Sequence, residues 1–153
     1  MSEVLQIILG VSLALGAFAS LIFFLLEQQN ILENIRPENR LLPPGRVWRQ
    51  LIPLYGMIYQ FTVINRIADS IRLDLAQPSE TDWLSAIEIK DGDRPTYKHG
   101  LTLAILSCCS IIRFPVLENL IALAILVAWI VYWIELRKYH KEIKLRQTGS
   151  LAR

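Results

Sequence analysis

Two sets of polar side chains sit inside apolar sequence, where an amide or a charge is costly and needs a protein partner or water. The first set is Arg46, Arg49, Gln50, Pro53 and Gln60, carried by PGRVWRQLIPLYGMIYQF at 44–61. On a helix beginning near Gly45, 100° per residue gathers these five with Gly56 and Met57 into an arc of about 120°. Leu51, Ile52, Leu54, Tyr55, Ile58, Tyr59 and Phe61 occupy the rest. An arginine at the bilayer midplane costs roughly 2.5 to 3.5 kcal/mol, so the polar stripe is expected to face a bundle interior or a hydrated cavity. Pro53 lacks an amide hydrogen and predicts a kink that frees the Arg49 carbonyl, with Gln50 placed to satisfy it. The chemistry open to such a stripe is hydrogen bonding between helices or, in an assembly of copies, the lining of a path. The second set is Arg113 and Glu118, flanking Phe114-Pro115 and read as an ion-pair clasp at the outer end of a helical hairpin.

Other reactive side chains do not form recognisable sites. His99 and His140 lie in neither a His-x3-His nor a Cys-x2-Cys pattern and read as markers of the membrane surface. Glu88, Asp91 and Asp93 imitate a calcium loop but lack the alternating ligands and closing glutamate of an EF-hand. Cys108 and Cys109 are adjacent, point about 100° apart on a helix and read as small buried packing residues rather than a disulfide. Phosphate-loop, nucleophile-elbow and zinc-helix motifs do not occur. The expectation is a non-enzymatic protein with no catalytic, cofactor or metal site and no nucleic acid partner.

The elements that carry these residues follow from hydropathy. Hydrophobic residues make up 53% of the 153 residues and mean hydropathy is +0.36, above the soluble range, which points to a single integral membrane domain over 1–153. The excess falls in blocks that predict an all-α protein with four transmembrane helices at about 4–26, 47–64, 97–112 and 116–136. The second is proline-kinked and continues as an amphipathic helix through Ile64, Ile67, Ala68, Ile71 and Leu75. A span needs about 20 apolar residues. The first and last blocks satisfy this outright, whereas the second must count Arg49 and Gln50, and the third must borrow Tyr97, Lys98 and His99. A re-entrant hairpin turning at Pro53 to Gly56 is also compatible with the short apolar core of the second block, and would put the two termini on opposite sides.

Basic residues set the expected orientation. The tail 137–153 carries Arg137, Lys138, Lys141, Lys144, Arg146 and Arg153, and the middle segment adds Arg66, Arg72, Lys90, Arg94 and Lys98. Under the positive-inside rule four spans then place both termini in the cytoplasm. Trp129, Tyr132 and Trp133 form an aromatic belt before the tail, which is expected to hold anionic head groups. Ala17-Phe18-Ala19 imitates a cleavage site, but Leu21 to Leu26 keep the run too long for a signal peptide, so the segment is expected to stay. Ser12, Gly16 and Ser20 recur every four residues and predict close helix packing. Arg36, Arg40 and Arg46 are expected to snorkel to head groups, and Arg66 to pair with Asp69 one turn on. Between the second and third blocks, Ser79 and Asp82 signal a short helix carrying Trp83, Leu84 and Ile87, and Asp91-Gly92-Asp93 a turn.

Asn39-Arg40, Pro44-Gly45-x-Val47-Trp48, Leu51-Ile52-Pro53-Leu54, Gln60-Phe61 and Ile67-Ala68-Asp69-Ser70, with Gly100-Leu101 and Tyr132-Trp133 further on, resemble a family of small multi-spanning bacterial membrane proteins of uncharacterised function. The likeness is densest over Arg36 to Arg72. It implies a bacterial inner-membrane setting and no activity, with asparagine often standing at the Gly56 position and tryptophan at the Tyr59 position. The resulting expectation is a partner-binding or accessory membrane subunit that contacts lipid and a protein partner or further copies of itself. The rival is a small oligomeric channel or transporter lined by the second span.

Overall fold

The computed structural model describes residues 3–77, 94–111 and 117–151. Among them the regular structure is helical, with no strand. Helix α1 spans Glu3–Asn34, α2 Tyr55–Ala76, α3 Tyr97–Cys109 and α4 Glu118–Leu151, and two 3-10 segments, Pro37–Asn39 and Pro44–Leu51, lie between α1 and α2. Among the described residues two helices, α1 and α4, are long and apolar enough to cross a membrane. At 1.5 Å per residue the 13-residue α3 rises about 20 Å, short of the roughly 30 Å hydrocarbon core.

Local chemistry sets the boundaries. Pro37 biases the residue before it to extended backbone, and Arg36 accordingly sits at φ −54°, ψ 137°, which ends α1. Pro43 and Pro44 then open the second 3-10 segment with a proline in its first turn, where a missing amide costs nothing.

Pro53 produces a break where the sequence predicts a kink. The 3-10 segment closes with the Ile52 amide donating to the Arg49 carbonyl (3.2 Å), and the Tyr55 amide then donates to the Pro53 carbonyl (2.7 Å). Leu54 between them has φ 62°, ψ −53°, the backbone of a γ-turn, a strained conformation for a leucine. The expected single helix over 47–64 is therefore two helical limbs joined by a tight reversal. The carbonyl that the kink was to free is satisfied by backbone, and Gln50 is released to bond elsewhere. A Cβ on Gly56 would collide with the Gln50 carbonyl, so the close approach of the two limbs depends on glycine.

The helices gather at one end. Phe24 of α1 packs edge-on to Tyr132 of α4 with ring centroids 5.7 Å apart. Further along, Glu27 meets His140 at 2.6 Å, and the Asn34 carbonyl accepts from Gln147. Residue numbers rise together on both helices, so α1 and α4 are parallel. The four-span expectation, in which first and fourth helices are antiparallel, does not fit this order. Helix α3 opposes α4, with His99 against Glu135 and Gly100 against Tyr132. A Cβ on Gly100 would stand 2.7 Å from Ile64 and 3.0 Å from Tyr132, so α2, α3 and α4 converge at that glycine.

The core is confined to this end. Phe24, Ile31, Leu32 and Ile35 from α1 and its exit, Val63, Ile64, Ile67, Ile71 and Leu75 from α2, Leu103 and Ala104 from α3, and Tyr132, Leu136 and Ile143 from α4 are all buried. The helical face expected from Ile64 to Leu75 is thus present, packed against protein rather than laid on a membrane. Toward the other end the apolar stretches are left largely uncovered by the chain. Only 6% of the most apolar stretch of α1 and 11% of that of α4 is buried within the chain, with Ile7, Leu13 and Phe18 and, across the molecule, Leu120 and Leu123 all more than half exposed. Ser12 and Gly16 lie exposed on this bare part of α1, and the packing expected of them is not made within the chain. Cys109, expected to be buried, is exposed at the end of α3.

Candidate functional site

The polar residues that the structure brings together lie at the packed end. Asp74 falls on the buried face of α2, seven residues after Ile67, and its side chain is 7% exposed. A buried carboxylate needs charge and hydrogen bonds to offset lost solvation. Asp74 Oδ1 accepts from Arg36 Nε at 2.9 Å, the Arg36 amide at 3.2 Å and Asn39 Nδ2 at 3.2 Å, while Arg36 Nη2 donates to the Asp74 carbonyl at 2.8 Å. Asn39 and Gln77 exchange amide bonds in both directions at 3.1 Å, and the Leu41 amide donates to Ser70 Oγ at 2.9 Å. These contacts close the stretch 39–77 into a loop whose two ends are tied at the C-terminal end of α2. Arg36, expected to reach head groups, is the cation of this lock. Arg40 also turns inward, donating to the Glu33 and Ile35 carbonyls.

Further locks join the other helices. Arg94 grips Asp69 in two-pronged fashion, Nε to Oδ1 at 2.8 Å and Nη2 to Oδ2 at 2.7 Å, and also bonds Asn65 Oδ1 at 3.0 Å. Its guanidinium lies 4.2 Å from the centre of the Tyr97 ring. The expected one-turn partnership of Asp69 with Arg66 gives way to this longer-range pair, since planar guanidinium matches carboxylate geometry when both prongs engage. His140 bridges the two long helices. Asn34 Nδ2 donates to its Nε2 at 3.0 Å, leaving Nδ1–H to donate to Glu27 at 2.6 Å. His99 makes the same kind of bond to Glu135 at 2.6 Å. Both histidines are structural cross-links between helices.

The stripe expected to share one helical face is divided by the turn. Arg46, Arg49 and Pro53 are exposed on the outgoing limb. Gln50 donates to Gln28 Oε1 at 2.6 Å and to the Val47 carbonyl at 3.1 Å, and Trp48 Nε1 donates to Gln29 Oε1 at 2.6 Å. The returning limb carries Gly56 buried and Gln60 half-buried. Gln50 thus performs the interhelical bonding that the stripe predicted, toward α1, while the two arginines face outward. Glu118 is the exposed first residue of α4. Arg113 lies outside the described residues, so the clasp between them does too, as do the Ser79–Asp82 helix signal and the Glu88, Asp91, Asp93 cluster.

Among the described residues no group of three histidine, cysteine or acidic side chains is placed to hold a metal ion. An open apolar groove of about 430 Å³ runs between α3 and α4, lined by Leu106, Leu120, Leu123, Val127 and Val131, with His99 at its polar end. Its remaining walls are apolar apart from Thr102.

The polar locks carried one signal in the sequence. Gln28 stands four residues after Phe24 and three before Ile31, and Ser70 and Asp74 continue the line of Val63 and Ile67. A polar residue in register with an apolar stripe is headed for burial and must find a partner. What the sequence withholds is the partner's identity, because Arg36 and Asp74 are 38 positions apart. Comparisons with models of known protein families, with curated proteins and with solved structures return no match.

Proposed function

We propose that this chain is a non-enzymatic integral membrane protein of the bacterial inner membrane that serves as a partner-binding or accessory subunit. The observation that carries the reading is the bareness of α1 and α4. An apolar helix exposed to water forgoes roughly 25 cal/mol for every Å² left uncovered, so these stretches call for acyl chains or another protein's helices around them. Burying them in a bilayer makes the packed end the water-facing base.

Because α1 and α4 are parallel, they cross in the same direction, with α3 beginning the return crossing between them, and leave the N-terminal and C-terminal ends of the chain on opposite faces. Arg36, Arg40, Arg46 and Arg49 then join Arg66, Arg72, Arg94 and the basic tail on a single face. A four-span arrangement has to assign those first four arginines to the outside, so the parallel arrangement follows the positive-inside rule better. The base is cytoplasmic in this reading, and Lys138, Lys141 and Lys144 hold anionic head groups there.

The accessory role rests on α1. Over its first twenty or so residues it touches little of its own chain, whereas α4 has α3 beside it. A photoreactive side chain at Leu13 in native membranes is expected to give a discrete protein adduct. Adducts with lipid alone would leave an anchor without a partner-binding role. The channel alternative loses its continuous polar lining at the 53–54 turn. Gln50→Leu with Gln60→Leu should leave ion flux in reconstituted vesicles unchanged, and loss of a flux present in the parent protein would revive it.

A further inference from the structure

We infer that the hairpin 44–58 is a re-entrant wedge that dips into one leaflet, the one on the basic side, with its apex among acyl chains and Arg46 and Arg49 on anionic lipid phosphates. This rests on the membrane reading given above and adds a lipid-binding element to it. The first observation is closure. Asn39 and Gln77 hold one another by two amide bonds and Leu41 is tied to Ser70, so chain that leaves the base at 39 is back at the base by 77. A segment fastened in this way cannot end on the far side of a bilayer.

The second observation is reach. Ile64 packs at the Gly100 and Tyr132 junction, and α2 extends nine residues beyond it to Tyr55. At 1.5 Å per residue that is about 14 Å, close to half of the 30 Å hydrocarbon core. The third is what the apex displays. Leu51, Ile52, Leu54, Tyr55 and Ile58 are all exposed, Leu54 and Ile58 by about three quarters, on a convex tip that no other part of the described chain covers. Leucine also stands at the positive-φ position of the turn, where glycine would be unstrained, a choice that acyl chains around the tip would reward and water would not.

Charge identifies the occupant. Between Asn39 and Ala68 every charged residue is an arginine, at 40, 46, 49 and 66. Arg40 is engaged with backbone carbonyls, while Arg46 and Arg49 are exposed on the limb that leads to the apex. An arginine pair just below an apolar tip matches the phosphate layer of an anionic leaflet. Trp48 between them keeps its indole nitrogen bonded to Gln29, the amphipathic placement of an interfacial tryptophan. Irregular backbone at membrane depth must have its polar groups satisfied by the protein. Here the Ile52, Tyr55 and Gly56 amides are bonded within the turn and Pro53 has none, so the Leu54 amide is the one turn amide without a backbone partner among the described residues.

The test uses the full chain with Cys108 and Cys109 replaced by serine, reconstituted in phosphatidylcholine vesicles with or without phosphatidylglycerol. Single cysteines are placed by Leu54→Cys, Glu38→Cys, Thr148→Cys and Leu13→Cys. Position 54 should resist a membrane-impermeant maleimide from both faces, and a fluorophore attached there should be quenched by lipids brominated on their acyl chains. Positions 38 and 148 should label from one and the same face. Labelling of 54 from the face opposite 38 would show a crossing helix, and labelling from the same face a tip lying in water. Either overturns the inference. Water access at Leu13 as well would instead mean that the membrane reading itself has failed. Phosphatidylglycerol should deepen the quenching at 54 in the parent protein and have no such effect in Arg46→Gln/Arg49→Gln. Equal quenching with and without the anionic lipid in the parent would overturn the phosphate contact.

Discussion

The two ends of the molecule solve opposite problems. At the base, four helices bury a shared core, and three acidic side chains in and around it are paired: Asp74 with Arg36, Asp69 with Arg94, Glu27 with His140. At the other end α1 and α4 run on for many residues with almost nothing polar and almost nothing buried. The base pairs its charges internally, although the Tyr132 hydroxyl and Thr96 Oγ1 are buried there without a partner among the described residues. The apolar end leaves its surface for its surroundings to cover, as a protein in lipid can. Reading either end alone would mislead, since the base resembles a small soluble bundle and the apolar end a pair of unconnected anchors.

Substitutions that separate the two ends should differ sharply in cost. The largest loss is expected for Arg36→Ala, which strands a buried carboxylate at Asp74 and should cost about 3 to 5 kcal/mol. Thermal unfolding in mild detergent should show it, and Arg36→Ala with Asp74→Ala should recover part of the loss because no buried charge is left. Next comes Gly100→Ala, whose added methyl group must push aside Ile64 and Tyr132. Overpacking of this kind costs about 1 to 3 kcal/mol, measured the same way. Asp69→Asn weakens a partly exposed pair and should cost about 1 kcal/mol, less at high salt. Smallest is Leu13→Ala at the bare end, expected to leave the unfolding of the base within about 0.5 kcal/mol. A Leu13 effect as large as that of Gly100 would erase the distinction between the ends.

How much of this was legible in the sequence varied with the physics behind each element. The first and last apolar runs were readable because length and lack of charge suffice to mark a helix long and apolar enough to cross a membrane. They appear within α1 and α4, which continue well past the lipid-length stretches. The helix through Ile64 to Leu75 was readable from its spacing. The stretch around Pro53 was readable only as two alternatives, a kinked span or a re-entrant hairpin turning at Pro53 to Gly56, because proline is compatible with both. The choice fell to Leu54 taking a positive φ and to the long-range ties at Asn39 and Ser70, and neither leaves a local mark. Reading the second block as one crossing helix makes α1 and α4 antiparallel, whereas their contacts run parallel, as the re-entrant alternative implies. The polar partners were hidden for a similar reason: a charge on an apolar face announces that it needs a mate, but only the fold brings Arg36 to Asp74 or Glu27 to His140.

The relative direction of the long helices is open to one direct experiment. In the chain with Cys108 and Cys109 replaced by serine, single cysteines at Val4 and Thr148 can be exposed to an impermeant maleimide on sealed membrane vesicles of known orientation and, separately, on intact cells. Parallel α1 and α4 crossing a membrane require Val4 and Thr148 to react on opposite faces, with Thr148 on the cytoplasmic one in the orientation proposed above. Reaction of both positions from the same face would contradict the arrangement described for this protein.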